Sequence, residues 1–259
     1  MTTQRIDPTT PERAAHEPIT DLDVAHLPRV VRRYLRFLGV PGRLPDRSFR
    51  MSWSGRFRTG PEAPWRTCDA WQYNTARPIA RDFRMRLRLA GPLSVVAWDT
   101  YADGRGRMRG HVLGGIPVLD ESGAELDLGE LVTWLNDAVL LAPSMLLRPE
   151  VRWTARDDDA FDVVLSDAGR TVSARVVVDE QGAPREFSTT DRFVRDPDPP
   201  GHPWIRARWT TPIDGWTVVE GRRRPTAARA VWHLPRLSFA YAHADFATAD
   251  LQHDVPPVD

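Results

Sequence analysis

The sequence predicts an α+β protein built mostly of antiparallel β structure, a strongly curved or half-barrel sheet covered by a helical insertion and an N-terminal helix. Three observations predict it. Apolar and polar residues alternate with a period of two in about thirteen short segments, the pattern of half-buried strands. Only two segments keep the three- and four-residue steps of a helix. And so many strands exceed one flat sheet, so the sheet must curl, close partly or split.

The elements follow in order. The first twenty residues, MTTQRIDPTTPERAAHEPIT, carry no apolar stretch followed by a cleavage pattern and read as a flexible polar tail, which makes the cytoplasm the expected location. From Asp23 helical spacing sets in: Leu27, Val31, Tyr34, Leu35 and Leu38 share a face, Pro28 suits a first turn and Gly39 a stop. Arg29, Arg32, Arg33 and Arg36 fall on the opposite, solvated face. Phe49, Met51, Trp53, Gly55 and Phe57 then alternate with polar neighbours, and similar runs follow at Trp65, Phe83 and Leu93. A fifth strand, GRMRGHVLGG, puts Gly106, Gly110 and Gly114 on one face, where a helix or ligand can approach closely. Asp127 and Glu130 have the form of a capping box ahead of Leu128, Leu131, Leu135 and Val139, so a helical insertion is expected near 128–147. Strand patterns resume at Val151 and run to Phe246. The Pro-rich loop 196–203 is the best internal boundary, but neither half has its own core, so 21–250 reads as a single domain with a flexible tail at 251–259.

Composition excludes several chemistries. All 35 basic residues are Arg, which rules out a Schiff-base lysine and a phosphate-loop lysine. The 35 acidic residues balance them to a formal charge of +0, so no basic field draws nucleic acid. One cysteine, Cys68, allows neither an intrachain disulfide nor a multi-cysteine metal cage. The seven His show no HExxH or similar spacing, so no metal is expected, and no cofactor is implied. No apolar run approaches a membrane span.

The candidate site residues are few. Asp99 and Tyr101 share a strand face with Val95 and Ala97, and a carboxyl on an apolar face must find partners or shift its pKa upward. Asp137, beside Trp134 in the helical insertion, poses the same question, with an Arg salt bridge as the plain answer. Trp53 and Trp71 are strand tryptophans fit to line an apolar pocket. The ladder Arg84, Arg86, Arg88, with Arg107 and Arg109 beside it, reads as a solvated face paired with Asp.

Five strings together, LPRVVRRYLRFLGVPG, DTYADGRGRM, AELDLGELVTWLNDAVLLAPSMLL, VDEQGAPREFSTTDRF and GRRRPTAARAVWHLP, resemble an uncharacterised bacterial family of unknown function. The implied architecture is similar to the open half-barrels of lipoprotein-carrier and lipid-carrier proteins. The function expected first is therefore a binding or carrier protein for a small apolar or lipid-like ligand, held by Trp53, Trp71, Asp99, Tyr101, Trp134 and Asp137. The alternatives are an enzyme working on a small apolar substrate by acid/base catalysis in the same pocket, and a structural or interaction module.

Overall fold

The computed structural model describes residues 17–91, 93–112, 115–195 and 204–257. Helix α1 (Arg29–Phe37) leads into β1 (Ser48–Phe57), β2 (Arg66–Thr75), β3 (Ala80–Arg88), β4 (Ser94–Ala102), β5 (Arg105–Val112) and β6 (Ile116–Ser122). Helix α2 (Ala124–Leu141) and a 3-10 turn (Pro143–Leu146) follow. The second half comprises β7 (Val151–Ala155), β8 (Ala160–Asp167), β9 (Arg170–Val178), β10 (Pro184–Arg195), β11 (Trp204–Pro212), β12 (Trp216–Val219), β13 (Arg222–Pro225), β14 (Ala227–Leu234) and β15 (Leu237–His253).

Thirteen strands form one curled antiparallel half-barrel in the order β6-β5-β4-β3-β2-β1-β15-β14-β11-β10-β9-β8-β7, while β12 and β13 make a separate hairpin. The last strand closes the design: β15 pairs with β1 on one side and β14 on the other, joining the two halves. Because β6 and β7 are the two edges, the segment between them must cross the sheet from rim to rim. Helix α2 is that segment, and it packs against β4 and β5 in one half and β9 and β10 in the other. Burial on nearly every side explains why α2 is apolar almost all round. Helix α1 is amphipathic instead, burying Val30, Val31, Tyr34, Leu35 and Phe37. The Tyr34 hydroxyl donates to the Val139 carbonyl at 2.7 Å, which locks the two helices together.

Several expectations change at their edges. Helix α1 begins at Arg29, with Pro28 at the N-cap position, and residues 21–27 form turns instead of extending the helix back to Asp23. Helix α2 starts at Ala124, not 128, and stops at Leu141 with a separate 3-10 turn from Pro143 to Leu146. Asp127 is therefore inside the first turn and caps nothing on its own helix: its carboxylate accepts from the Gly106 N–H at 2.7 Å and pairs with Arg170. Glu130 reaches Arg81, as set out below. The tails also shorten. Ile19 is buried and exchanges hydrogen bonds with Gly42 and Arg43, and at the other end His253 and Asp254 bond to Leu141 and Arg47. Residues 1–16, the Pro-rich loop 196–203, Gly114 and residues 258–259 lie outside the described residues. Gly106 behaves as expected of a close approach: a Cβ there would meet the Leu126 carbonyl oxygen at 2.2 Å.

Candidate functional site

The concave face has a covered and an uncovered part, and β3 and β4 run through both. Their inward pairs are Arg81 with Tyr101, Phe83 with Asp99, Met85 with Ala97 and Leu87 with Val95. Tyr101 is fully buried beneath the helices, whereas Asp99, Ala97 and Val95 are only half-buried. Aromatic rings gather toward the uncovered part, Phe246 and Trp232 buried in the core and Trp53, Phe57, Phe83 and Tyr241 half-buried. Trp53 lies 6.3 Å from Phe83 and 5.8 Å from Phe246, Phe57 meets Tyr241 edge-on at 5.6 Å, and Trp232 stacks on Tyr241 at 6.1 Å. Beside them Cys68, Ala70, Met85 and Leu87 form a small cluster separate from the main core.

A charged cluster marks the border. Arg81, 5% exposed, donates to Glu130 at 3.0 Å and to Asp137 at 2.9 Å, and its guanidinium lies 4.7 Å from the Phe83 ring. Gln72 and Asn74 each donate to the same Asp137 oxygen at 3.3 Å. On the far side Arg192 stacks 4.4 Å from the Trp209 ring and 5.6 Å from Trp232. It makes no ion pair within 4 Å among the described residues, yet its charge reaches both Asp99 and Glu130. Three carboxyls thus face two guanidiniums. Burial first and the Glu130 charge second push the Asp99 carboxyl up to about 7, against the pull of Arg81 and Arg192. Burial raises Glu130 as well. The cluster therefore takes up a proton as the pH falls through about 7.

Three polar atoms here lack partners, Asn74 Oδ1 beside Asp137 and two more at the border of the aromatic face. Asp99 Oδ1 and Trp53 Nε1 are both sealed from solvent without a hydrogen bond. They flank Phe83, which is opposite Asp99 in the strand pairing and in ring contact with Trp53. Each such atom costs about 1–3 kcal/mol while it goes unanswered.

Residues 17–244 match a family of unknown function, DUF6544. The chain belongs to that family. All five strings that carried the resemblance lie within the matched span. No curated protein matches the chain. Among solved structures, a LolA superfamily protein from Nitrosomonas europaea is similar over 88% of this chain and 93% of its own, at 11% identity and a TM-score of 0.42.

In this DUF6544 member the residues singled out from the sequence separate into different roles. Tyr101 does share its face with Asp99, but its hydroxyl donates to Asp167 at 2.7 Å, and burial together with that carboxylate pushes the phenol far above its usual range. It is an anchor between β4 and β8. Trp134 is fully buried in α2 and donates to the Thr75 carbonyl at 3.0 Å. Asp137 forms the Arg salt bridge anticipated as its plain reading. Trp71 points the other way: Ala70 and Gln72 take the inner face of β2, which leaves the Trp71 ring on the convex side, 5.2 Å from the Arg84 guanidinium. Asp99 and Trp53 alone among the six combine the aromatic face with an unanswered polar atom.

Sequence reasoning missed Arg192 and the reach of Glu130. The signal for Arg192 is a register shift between Thr189 and Arg192, which turns Arg192 and Val194 inward after Thr189. Elsewhere the Arg ladder is paired as expected, Arg84 with Asp82 at 2.9 Å and Arg88 with Asp69 at 2.7 Å. Cys68 is buried and its thiol is pushed up to about 11, so it carries little thiolate at neutral pH. Among the described residues no group of His, Cys, Asp or Glu is placed to hold a metal ion, and no helix is long and apolar enough to cross a membrane. A void of about 10 Å³ between α1 and α2, lined in part by Leu38, Leu141 and Ser144, holds one water at most.

Proposed function

We propose that this protein binds a small apolar or lipid-like molecule with one polar end, on the part of the concave face that the helices leave uncovered. The observation that carries the reading is the pair of buried, unpartnered atoms, Asp99 Oδ1 and Trp53 Nε1, an acceptor and a donor on an aromatic-lined surface. Both atoms are closed to solvent in the ligand-free fold, so a ligand hydroxyl or carboxyl answers them once the side chains over them shift, and Arg192 stands ready for negative charge. The apolar body then runs over Phe57, Tyr241 and Val95. Asp137 and Trp134 support the site from α2, and Tyr101 fixes the strand that carries Asp99.

Native mass spectrometry of gently extracted protein, followed by thermal-shift screening with fatty acids and isoprenoid alcohols, tests this. A bound apolar mass or an upward shift is expected, since a ligand of the folded state raises apparent stability. No adduct and no shift with either class would contradict it. Acid/base catalysis on a small apolar substrate is the second reading, favoured by one observation, the Asp99 carboxyl pushed up to about 7. Under that reading Asp99→Asn abolishes turnover while leaving affinity intact.

A further inference from the structure

A second surface concentrates charge on the solvent side of α1. Arg32 and Arg33 lie three and four residues after Arg29 and four and three before Arg36, so their guanidiniums form a single stripe. Arg223 from β13 and Gln181 from the turn between β9 and β10 complete a cleft of about 570 Å³, with Phe37 at one side. That volume suits a small ligand.

The walls are fixed relative to one another. Arg223 donates to the Phe37 carbonyl at 2.6 Å and stacks 4.4 Å from its ring, so the hairpin is tied to the end of α1. Arg222 holds Asp46 at 2.7 Å and Arg43 donates to the Gly221 carbonyl at 2.5 Å, which secures the same hairpin twice more. On the opposite side the turn presses on the helix: at Gly182, φ +92, a Cβ would meet the Arg33 carbonyl oxygen at 2.6 Å.

The charges are not balanced. Arg33 pairs with Asp159 at 3.1 Å and Arg36 with Asp21 at 2.8 Å. Arg29, Arg32 and Arg223 have no carboxylate partner among the described residues, and no acidic side chain lines the cleft. Five cations therefore answer to two carboxylates, in a protein whose formal charge is +0. Like charges at these helical spacings repel, and the missing partner is an anion.

We propose that this cleft binds a small soluble anion bearing more than one phosphoryl group. Guanidinium forks match phosphoryl oxygens two at a time, and several converging forks favour a polyphosphorylated group over a single carboxylate. The site is separate from the concave face and stands or falls independently of the function proposed above.

Isothermal titration of the full chain with inorganic tripolyphosphate tests it. Binding is expected, weakening steeply as sodium chloride rises. Arg29→Gln and Arg223→Gln should each lower the affinity about tenfold, the equivalent of roughly 1.4 kcal/mol. Arg86→Gln, an exposed arginine of the convex sheet face, should leave it unchanged. Arg29 is exposed, so an unchanged melting temperature of Arg29→Gln will show that the fold is intact, whereas Arg223→Gln also frees the Phe37 carbonyl and counts only where its melting temperature is unchanged. Absence of binding, or an equal loss with Arg86→Gln, would overturn the proposal. So would binding to phosphatidylglycerol vesicles without binding to tripolyphosphate, which would assign the stripe to a membrane surface.

Discussion

Tyr101 and Asp99 stand two residues apart on one face of β4, yet one is a fully satisfied core residue and the other is not. Tyr101 lies under the helices with its hydroxyl on Asp167, whereas Asp99 lies at the rim of helical cover with a sealed oxygen and no donor. The same contrast holds for the charges around them. Arg81 is deep and answers two carboxylates, while Arg192, nearer the uncovered face, rests on tryptophan rings with no ion pair among the described residues. Buried Asn74 and Asn136 oxygens go unanswered under the helices as well, so what sets the rim apart is that its unanswered atoms lie among aromatic rings.

The largest effect is expected at Arg81. Arg81→Met takes the paired cation from Asp137 and leaves Glu130 only the more distant Arg192, and a loss of about 3–5 kcal/mol is expected in urea unfolding. A loss under about 1 kcal/mol would mean that the covered cluster is not what holds α2 to β3. Gly106→Ala comes next, because the added Cβ would drive into the backbone of α2 at Leu126. Overpacking of that kind costs about 1–3 kcal/mol, to be read from the same unfolding curves. Tyr101→Phe removes one hydrogen bond and should cost about 1 kcal/mol, with a smaller effect on ligand binding than Asp99→Asn.

The pH dependence sharpens the contrast further. The Asp99 carboxyl titrates at about 7 in the fold but near its ordinary value of about 3.9 when unfolded, so the folded state keeps a proton that the unfolded chain gives up. Its contribution to stability is complete below about pH 3.9, declines as pH rises through about 7, and is flat beyond. Asp99→Asn removes that decline. The stability difference between variant and wild type should therefore grow in the variant's favour from about pH 4 to about pH 7, measured by unfolding at a series of pH values.

Strands were legible in the sequence because a half-barrel with one face buried writes a period of two along each strand. Helix α2 was legible as helix but not in its start. A helix buried almost all round has no polar stripe to set its phase, and Asp127 and Glu130 imitate a cap while serving Gly106, Arg170 and Arg81 across the fold. The convex placement of Trp71, expected in the pocket lining, was hidden for a related reason. The inner face of β2 carries Gln72 and Asn74, recruited by Asp137, so polarity there does not tell inside from outside. Asp99 stood out because a carboxyl among apolar neighbours is visible locally. Arg192 did not, since a bulge decides which way it points and its neighbours Trp209 and Trp232 come from β11 and β14.

The central claim is that Asp99 is left unanswered for a ligand and not for the fold. Paired thermal melts and calorimetric titrations of wild type and Asp99→Asn, at neutral pH with a fatty acid and an isoprenoid alcohol as probes, test it most directly. The amide keeps the shape and an acceptor oxygen while removing the charge. The expected result is a melting temperature that is unchanged or raised, with affinity for a bound probe altered by about tenfold. A fall in melting temperature with unchanged affinity would contradict it, and would return Asp99 to the core.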